Sequence, residues 1–201
     1  MKKAGISLAL VVGLTACGQG GSFGSQSDVT PGIGSVGKIT LTQIYSKTTG
    51  AYTGYTSTIT QPILKFAVSP GSLGVTVTDY SVQVLDSAGA NFGGNDGLYV
   101  RDGLAFRIPS GYTCPNSTND QCAGKDKVPT AREVAFPDSM AFLKDSVTSE
   151  LNSVYYTTDV CENLAMAITF RGFDDLKRPW ISKAVTRADV STTCNRELED
   201  K

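Results

Sequence analysis

The chain of 201 residues contains no histidine. Histidine is the commonest general base at neutral pH and the commonest ligand of transition metals, so both roles lack their usual residue. An excess of one charge is also missing, because 18 basic and 19 acidic residues give a formal net charge of −1. Such a chain lacks the strongly basic surface that binds nucleic acid. We therefore expect no catalysis, no metal or cofactor, and no nucleic-acid partner.

Long apolar runs are missing too, apart from a short one near the start. Met1-Lys2-Lys3 is followed by an apolar run over residues 4–13, which is too short to span a bilayer and is typical of an export signal. The run leads into Leu14-Thr15-Ala16-Cys17. This tetrapeptide resembles the lipobox of bacterial lipoproteins, and the resemblance covers the first 17 residues only. It implies cleavage before Cys17, a diacylglyceryl group on the Cys17 thiol, and often acylation of the new N-terminus.

The lipoprotein resemblance implies a place for the protein. Two or more acyl chains hold a protein firmly, so the expected partner is a lipid membrane bound through Cys17. Residue 18 is Gly, and the aspartate that signals inner-membrane retention in some bacteria is therefore missing, which favours the outer membrane. Removal of the signal takes Lys2 and Lys3, so the net charge moves from −1 to about −3.

The chain divides into three parts by composition. Residues 1–16 are the predicted signal peptide. Residues 17–35 hold the lipidated cysteine and a segment of mostly glycine, serine and other small or polar residues, which predicts a flexible linker. Residues 36–201 are long enough for one domain.

Four further cysteines, an even number in an exported chain, indicate two disulfides with three alternative pairings. The segment from Cys114 to Cys122 is polar and turn-rich, so we expect these two to pair and Cys161 to pair with Cys194. A Cys₄ metal site is the alternative, but it lacks a CxxC pair and would need reduced thiols outside the cytoplasm.

Alternating apolar residues predict β-strands over most of the domain. The apolar sets are Ile39, Leu41 and Tyr45; Leu64, Phe66 and Val68; Tyr80, Val82 and Val84; and Leu164, Met166, Ile168 and Phe170. Val75 and Val77 lie on the opposite parity from Tyr80, which predicts a bulge or two joined strands. Asp102-Gly103 between residues 98–101 and 104–108 predicts a tight hairpin.

The last hairpin supports the second disulfide. A loop over residues 176–179 would place Asp175 opposite Trp180, and the same register places Cys161 opposite Cys194. Its strands look like the last two strands of immunoglobulin-like or fibronectin-type bacterial domains.

One stretch breaks the pattern, because apolar spacings of three and four indicate a short helix near residues 139–151, capped by Asp138 or Ser139. We expect an all-β fold, an antiparallel immunoglobulin-like β-sandwich with one short helix.

Several motifs match known sites without their structural context. Gly32-x-Gly34-x-x-Gly37 matches the dinucleotide fingerprint, but no strand precedes it and no helix is expected to follow, so we expect no nucleotide. Ser35-x-x-Lys38 matches a nucleophile motif that also needs a helix. Acidic and amide residues over 86–102 could bind Ca²⁺, although their spacing differs from the EF-hand, and turns explain them better; the sequence does not decide whether a calcium ion binds there.

Residues 46–61 hold two tyrosines among threonines and serines. We expect an edge strand; a recognition loop is the alternative, in which Tyr52 and Tyr55 would contact a ligand.

The expected function is a non-catalytic binding or structural module toward another envelope protein or a glycan. The alternative is a glycan hydrolase that uses two carboxylates, for which Asp174 and Asp175 are candidates. Adjacent residues at a strand end point to opposite faces, so a loop tip explains that pair better.

Overall fold

The computed structural model describes residues 27–93, 98–117, 122–137, 140–182 and 185–199. The predicted cleavage site and Cys17 lie outside this range. Thirteen strands and one α-helix follow in the described chain: β1 Val29–Ser35, β2 Gly37–Ser46, β3 Tyr52–Thr60, β4 Ile63–Val68, β5 Val75–Leu85, β6 Leu98–Arg101, β7 Phe106–Ile108, β8 Tyr112–Thr113, β9 Val128–Pro129, β10 Arg132–Ala135, α1 Asp145–Thr158, β11 Leu164–Asp174, β12 Pro179–Ile181 and β13 Val185–Glu199.

Two sheets share one core. The smaller sheet has the antiparallel order β1-β4-β10, and the larger has the order β3-β2-β13-β11-β5-β6, with β12 added to β11 and β7 to β5. A separate short ladder joins β8 to β9. The expected all-β sandwich with one helix is therefore confirmed.

The alternating strands bury their apolar sides as predicted. Leu64, Phe66 and Val68 of β4 are buried, as are Tyr80, Val82 and Val84 of β5. Aromatic rings fill the centre, where the rings of Phe66, Tyr80, Phe136, Phe142 and Phe170 lie 5.0–6.1 Å from their neighbours. Such offset and edge-on pairs add stability beyond the apolar area that they bury.

The predicted bulge in β5 lies at Thr78. Asp79 pairs with Arg171 and Val77 with Gly172, so Thr78 is the extra residue. The backbones of β5 and β11 lie close together at the bulge. A Cβ atom on Gly172 would lie only 2.0 Å from the carbonyl oxygen of Thr76. Glycine is therefore required at this position.

Two predictions about connections are wrong. Residues 29–35 are not linker but form β1, which pairs with β4, because alternate residues Val29 and Pro31 are buried in spite of the small, polar composition. Residues 98–108 form no hairpin. Instead β6 and β7 pair one after the other with β5, and Asp102-Gly103 lies in the bend between them.

The direction of one strand pair also differs. β13 runs parallel to β2 over ten residue pairs, from Val190 opposite Gly37 to Glu199 opposite Ser46, so the larger sheet is mixed and not fully antiparallel. The pairing is parallel because the chain crosses from the smaller to the larger sheet between β1 and β2 without turning back. Period-two patterning predicts strands but not their directions.

The register of the last hairpin is shifted from the prediction. Gly172 faces Trp180, and the turn lies at residues 175–178 because the Asp174 and Arg178 backbones are hydrogen-bonded.

The helix is confirmed, but it begins at Asp145 after Lys144, which makes no side-chain cap bond. Asp138 and Ser139, the expected caps, lie outside the described residues. Leu143 and Val147, whose spacing predicted the helix, are both buried.

The molecule has two distinct ends. One end, which we call the proximal end because the described chain begins there, contains Ser27, residues 69–74 and the turn at 175–178. Hydrogen bonds from Asp28 N to Ser72 Oγ (2.8 Å) and from Gly74 N to Asp175 Oδ2 (2.9 Å) join these segments. The distal end contains the last residues of β2, α1 and β13. β1 and β2 run from one end to the other over residues 29–46. Eighteen extended residues span at most about 60 Å, which limits the distance between the two ends.

Candidate functional site

Both predicted disulfides are present. Cys114 is bonded to Cys122, with their Cα atoms 5.8 Å apart, and Cys161 to Cys194, with Cα atoms 5.7 Å apart. The second bond ties the segment between α1 and β11 to β13. It therefore fixes the helix end against the strand that carries the distal surface described next.

Four tyrosines, one arginine and one leucine form a surface at the distal end, which we call the tyrosine–arginine surface: Tyr45, Tyr52, Tyr155, Tyr156, Arg196 and Leu198. Tyr156, Arg196 and Leu198 are exposed, and the other three tyrosines are half-buried. The Tyr52 ring lies 5.6 Å from the Tyr45 ring and 4.9 Å from the Tyr156 ring, measured between centroids. Tyr156 is 56% exposed and Leu198 is 62% exposed. Aromatic rings and arginine of this kind are enriched where proteins bind one another.

Arg196 lies in the middle of this surface. Its guanidinium carbon is 4.9 Å from the centroid of the Tyr155 ring and 5.7 Å from that of Tyr45. Its Nη2 forms an ion pair of 2.7 Å with Asp159 Oδ1 just beyond the end of α1. Ring stacking and the ion pair together hold the planar guanidinium in one orientation.

A buried amide network orients the tyrosines. Gln43 of β2 is fully buried, and its Nε2 donates to Asn152 Oδ1 (3.0 Å) and Asn152 O (3.2 Å) in α1. Its Oε1 accepts from the Tyr45 hydroxyl at 2.8 Å, and Asn152 Nδ2 donates to the Tyr52 hydroxyl at 3.1 Å. Both hydroxyls are thus held before any ligand binds, which lowers the entropy lost on binding.

A shallow pocket adjoins the surface. Its volume is about 300 Å³, and it is lined by Tyr45, Gly50, Arg196, Glu197 and Leu198. The lining combines a ring, an aliphatic side chain and both signs of charge, so the pocket can receive a side chain or a sugar ring of a partner.

A second cavity of about 540 Å³ lies between β3 and the start of α1. Beside it, the hydroxyls of Tyr80 and Tyr99 donate to the carbonyl oxygen of Ala141 at 3.3 and 2.7 Å. Burial raises the pKa of Tyr80 and that of Tyr99, while Arg101 acts to lower both. Lys144 Nζ lies 3.8 Å from the Tyr99 ring centroid. These groups are neutral donors and a stacked cation, and they contribute to packing.

The two candidate carboxylates stabilise a turn. Asp174 is buried and accepts hydrogen bonds from Leu176 N (2.8 Å), Arg178 N (2.9 Å) and Arg178 Nε (2.6 Å). Burial by itself would raise the pKa of Asp174, but the bonds from Arg178 and Leu176 outweigh it and lower the pKa below its usual value. Asp175 Oδ1 pairs with Arg107 Nη2 at 2.5 Å. These contacts agree with the interpretation of Asp174 and Asp175 as residues of a turn.

The predicted edge strand is confirmed, because β3 is the outermost strand of the larger sheet. Tyr52 belongs to the tyrosine–arginine surface, whereas Tyr55 lies opposite Gln43 and packs against the core. A ligand-binding role for either stays a prediction. The sequence did not identify Tyr45, Tyr155, Tyr156 or Arg196 as members of a surface. The adjacent tyrosines at 155 and 156 could have indicated it, but the predicted helix ended at residue 151, before both of them.

The remaining motifs lie in β-structure. Gly32 and Gly34 are in β1, and Gly37 and Lys38 are in β2. In the 86–102 region, Asp86 Oδ1 accepts from Ala90 N at 2.8 Å within a turn, and residues 94–97 lie outside the described chain. Over the described residues, no group of three candidate metal ligands comes together. None of the described helices is long and apolar enough to cross a membrane.

Comparison with protein-family models and with curated proteins finds no match for this chain.

Proposed function

We propose that this protein is a lipid-anchored, non-catalytic binding module of the cell envelope that presents the tyrosine–arginine surface to a partner protein. The observation that carries the proposal is the preorganised cluster of four tyrosines and Arg196 at the distal end, whose exposed members are Tyr156 and Arg196. The lipobox resemblance at Cys17 supports the anchor. The exposed Leu198 favours a protein over a glycan, because aliphatic area adds affinity chiefly against another apolar surface.

The anchor is tested by replacing Cys17. We expect Cys17→Ser to lose both incorporation of a fatty-acid probe and processing at that site. Processing can be followed by the mass of the mature protein. Equal labelling of wild type and variant would contradict the anchor.

The binding surface is tested by truncating its exposed members. Tyr156→Ala and Arg196→Ala should each reduce capture of envelope proteins by about tenfold or more, the effect expected of a binding hot spot. Tyr112→Ala changes a half-buried tyrosine at the proximal end and is the matched control. Capture is read by cross-linking and mass spectrometry from solubilised envelope, with the protein in its lipidated form.

A glycan array run with the same variants distinguishes the partner classes. Binding of a glycan that Tyr156→Ala abolishes would replace the protein partner by a glycan. Capture that is equal for all three variants would overturn the role of this surface.

A further inference from the structure

Exposed apolar side chains lie at the proximal end, near the point where the described chain begins. Ser27 shares a cavity of about 230 Å³ with Asp174, Arg178, Pro179 and Trp180. Leu176 in the adjoining turn and Ile181 in β12 are 60% and 64% exposed. Phe173 lies on the same face of the sheet as Ile181, because it is two residues from Arg171, which pairs with Ile181.

The charged groups around these residues are equal in number, three basic and three acidic. Arg178 Nε pairs with Asp174 at 2.6 Å and Arg107 Nη2 with Asp175 at 2.5 Å, so both carboxylates of the turn are neutralised. Lys177 is exposed in the same turn, and Asp28 is exposed beside the cavity that Ile181 lines. The turn therefore combines an exposed leucine with an exposed ammonium group.

The length of chain before Ser27 limits how far this end can lie from the lipid. Nine residues separate Cys17 from Ser27. Ten residue steps span at most about 36 Å when fully extended. If Cys17 carries the acyl chains, the proximal end is the part of the described fold held nearest the bilayer.

We propose that the proximal end rests on the bilayer, with Leu176 and Ile181 among the lipid headgroups and Lys177 beside anionic ones. This inference depends on the lipid anchor proposed above. Apolar side chains gain free energy by leaving water at the headgroup boundary, and each cation near an anionic leaflet is attracted by its surface potential. The contact would give the attached protein a defined orientation, with the tyrosine–arginine surface facing away from the membrane.

The experiment places a tryptophan at each end of the lipidated mature protein. Leu176→Trp and Leu198→Trp are matched, because the two leucines are 60% and 62% exposed. Both variants carry Trp180→Phe, which removes the single native tryptophan. Each protein is reconstituted into vesicles of phosphatidylcholine and phosphatidylglycerol with brominated acyl chains. If Trp180→Phe prevents folding, both variants are compared with Trp180 retained, since its signal is then common to both.

We expect the tryptophan of Leu176→Trp to be quenched by the brominated lipid, with blue-shifted emission, and that of Leu198→Trp to show neither change. Equal quenching at the two positions, or none at either, in protein that incorporates the fatty-acid probe would overturn the membrane contact and leave the anchor intact. Protein that incorporates no probe would overturn the anchor, and this inference with it.

Discussion

At the residue scale, Asp174 shows how a carboxylate that looks catalytic in sequence can be structural. Its oxygens accept three hydrogen bonds from Arg178 and Leu176, and these outweigh burial and lower its pKa. A carboxylate held in this way stays ionised and has little capacity to take up a proton near neutral pH. The contacts account for its burial at the end of β11 without a catalytic role.

We predict that Asp174→Asn lowers the free energy of unfolding by about 2–3 kcal/mol near pH 7, because charge-assisted bonds are lost. The unfolded pKa is about 3.9, and the folded pKa lies lower. The stabilisation is therefore complete above that range and is lost as the pH falls through the folded pKa. Denaturant titrations between pH 7 and pH 2 measure this, and the difference between wild type and variant should shrink toward the acid end.

Asp102→Asn is the control for that titration. Asp102 is exposed in the bend between β6 and β7, and we expect its substitution to change the free energy of unfolding by less than about 0.5 kcal/mol. A difference for Asp174→Asn that stays constant down to pH 2 would contradict the ionic role assigned to this residue.

At the element scale, one glutamine between β3 and β4 holds the segment that leads into α1. Gln61 Oε1 accepts from the backbone N–H groups of Phe142 and Leu143, each at 2.8 Å, and its Nε2 donates to Leu143 O at 2.8 Å. We predict that Gln61→Ala destabilises the protein by about 2–4 kcal/mol, since two backbone donors lose their partner. Hydrogen exchange at Phe142 and Leu143 should accelerate.

Two variants sharpen this test. Gln61→Glu keeps the acceptor but loses the donor, so exchange at Phe142 and Leu143 should stay closer to wild type than in Gln61→Ala. Gln83→Ala removes a half-buried glutamine from β5 and should leave both rates unchanged. Exchange that is as fast in Gln83→Ala as in Gln61→Ala would show a general loss of stability in place of a local contact.

The two disulfides differ in the chain length that they close. In the chain-entropy model, Cys161–Cys194 contributes about 3.8 kcal/mol and Cys114–Cys122 about 2.6 kcal/mol. We predict that replacing the first pair by serine lowers the urea midpoint more than replacing the second. The reverse order would indicate that contacts, and not loop closure, determine their contributions.

How far the sequence predicts the elements depends on whether the interactions are local. Strands with one buried face, such as β4 and β11, follow from alternation alone. The Cys161–Cys194 bond follows by exclusion once Cys114 is paired with Cys122, although the hairpin register that supported it is shifted. The parallel alignment of β2 with β13 is a long-range choice, and composition does not encode it. Likewise Asp102-Gly103 favours a tight turn locally, but pairing of both β6 and β7 with β5 satisfies more backbone groups in the folded sheet. The distal surface was missed for the same reason, because it joins residues of four elements, β2, β3, α1 and β13.

At the scale of the whole molecule, the two ends have different compositions. The proximal end carries Ser27, Leu176 and Lys177, whereas the distal end carries the tyrosine–arginine surface. β2 and β13 enter the distal end side by side, and the disulfide at Cys194 ties α1 to them. A partner bound there would pull on strands that continue into the sandwich core. The architecture therefore suits a module that is loaded at one end and attached at the other.

An upright orientation on the membrane follows from this arrangement and has a direct measure. Neutron reflectometry of the lipidated protein on a supported bilayer should give a protein layer up to about 60 Å thick, the length of the strand line from β1 through β2. Leu176→Asp places a charge in the proposed contact, and we expect its layer to become thinner or more diffuse while the amount bound, which the acyl chains determine, stays the same. Leu198→Asp at the distal end should leave the profile unchanged. A wild-type layer only half as thick would mean that the sandwich lies flat, which would hide part of its surface and contradict the presentation of the tyrosine–arginine surface away from the membrane.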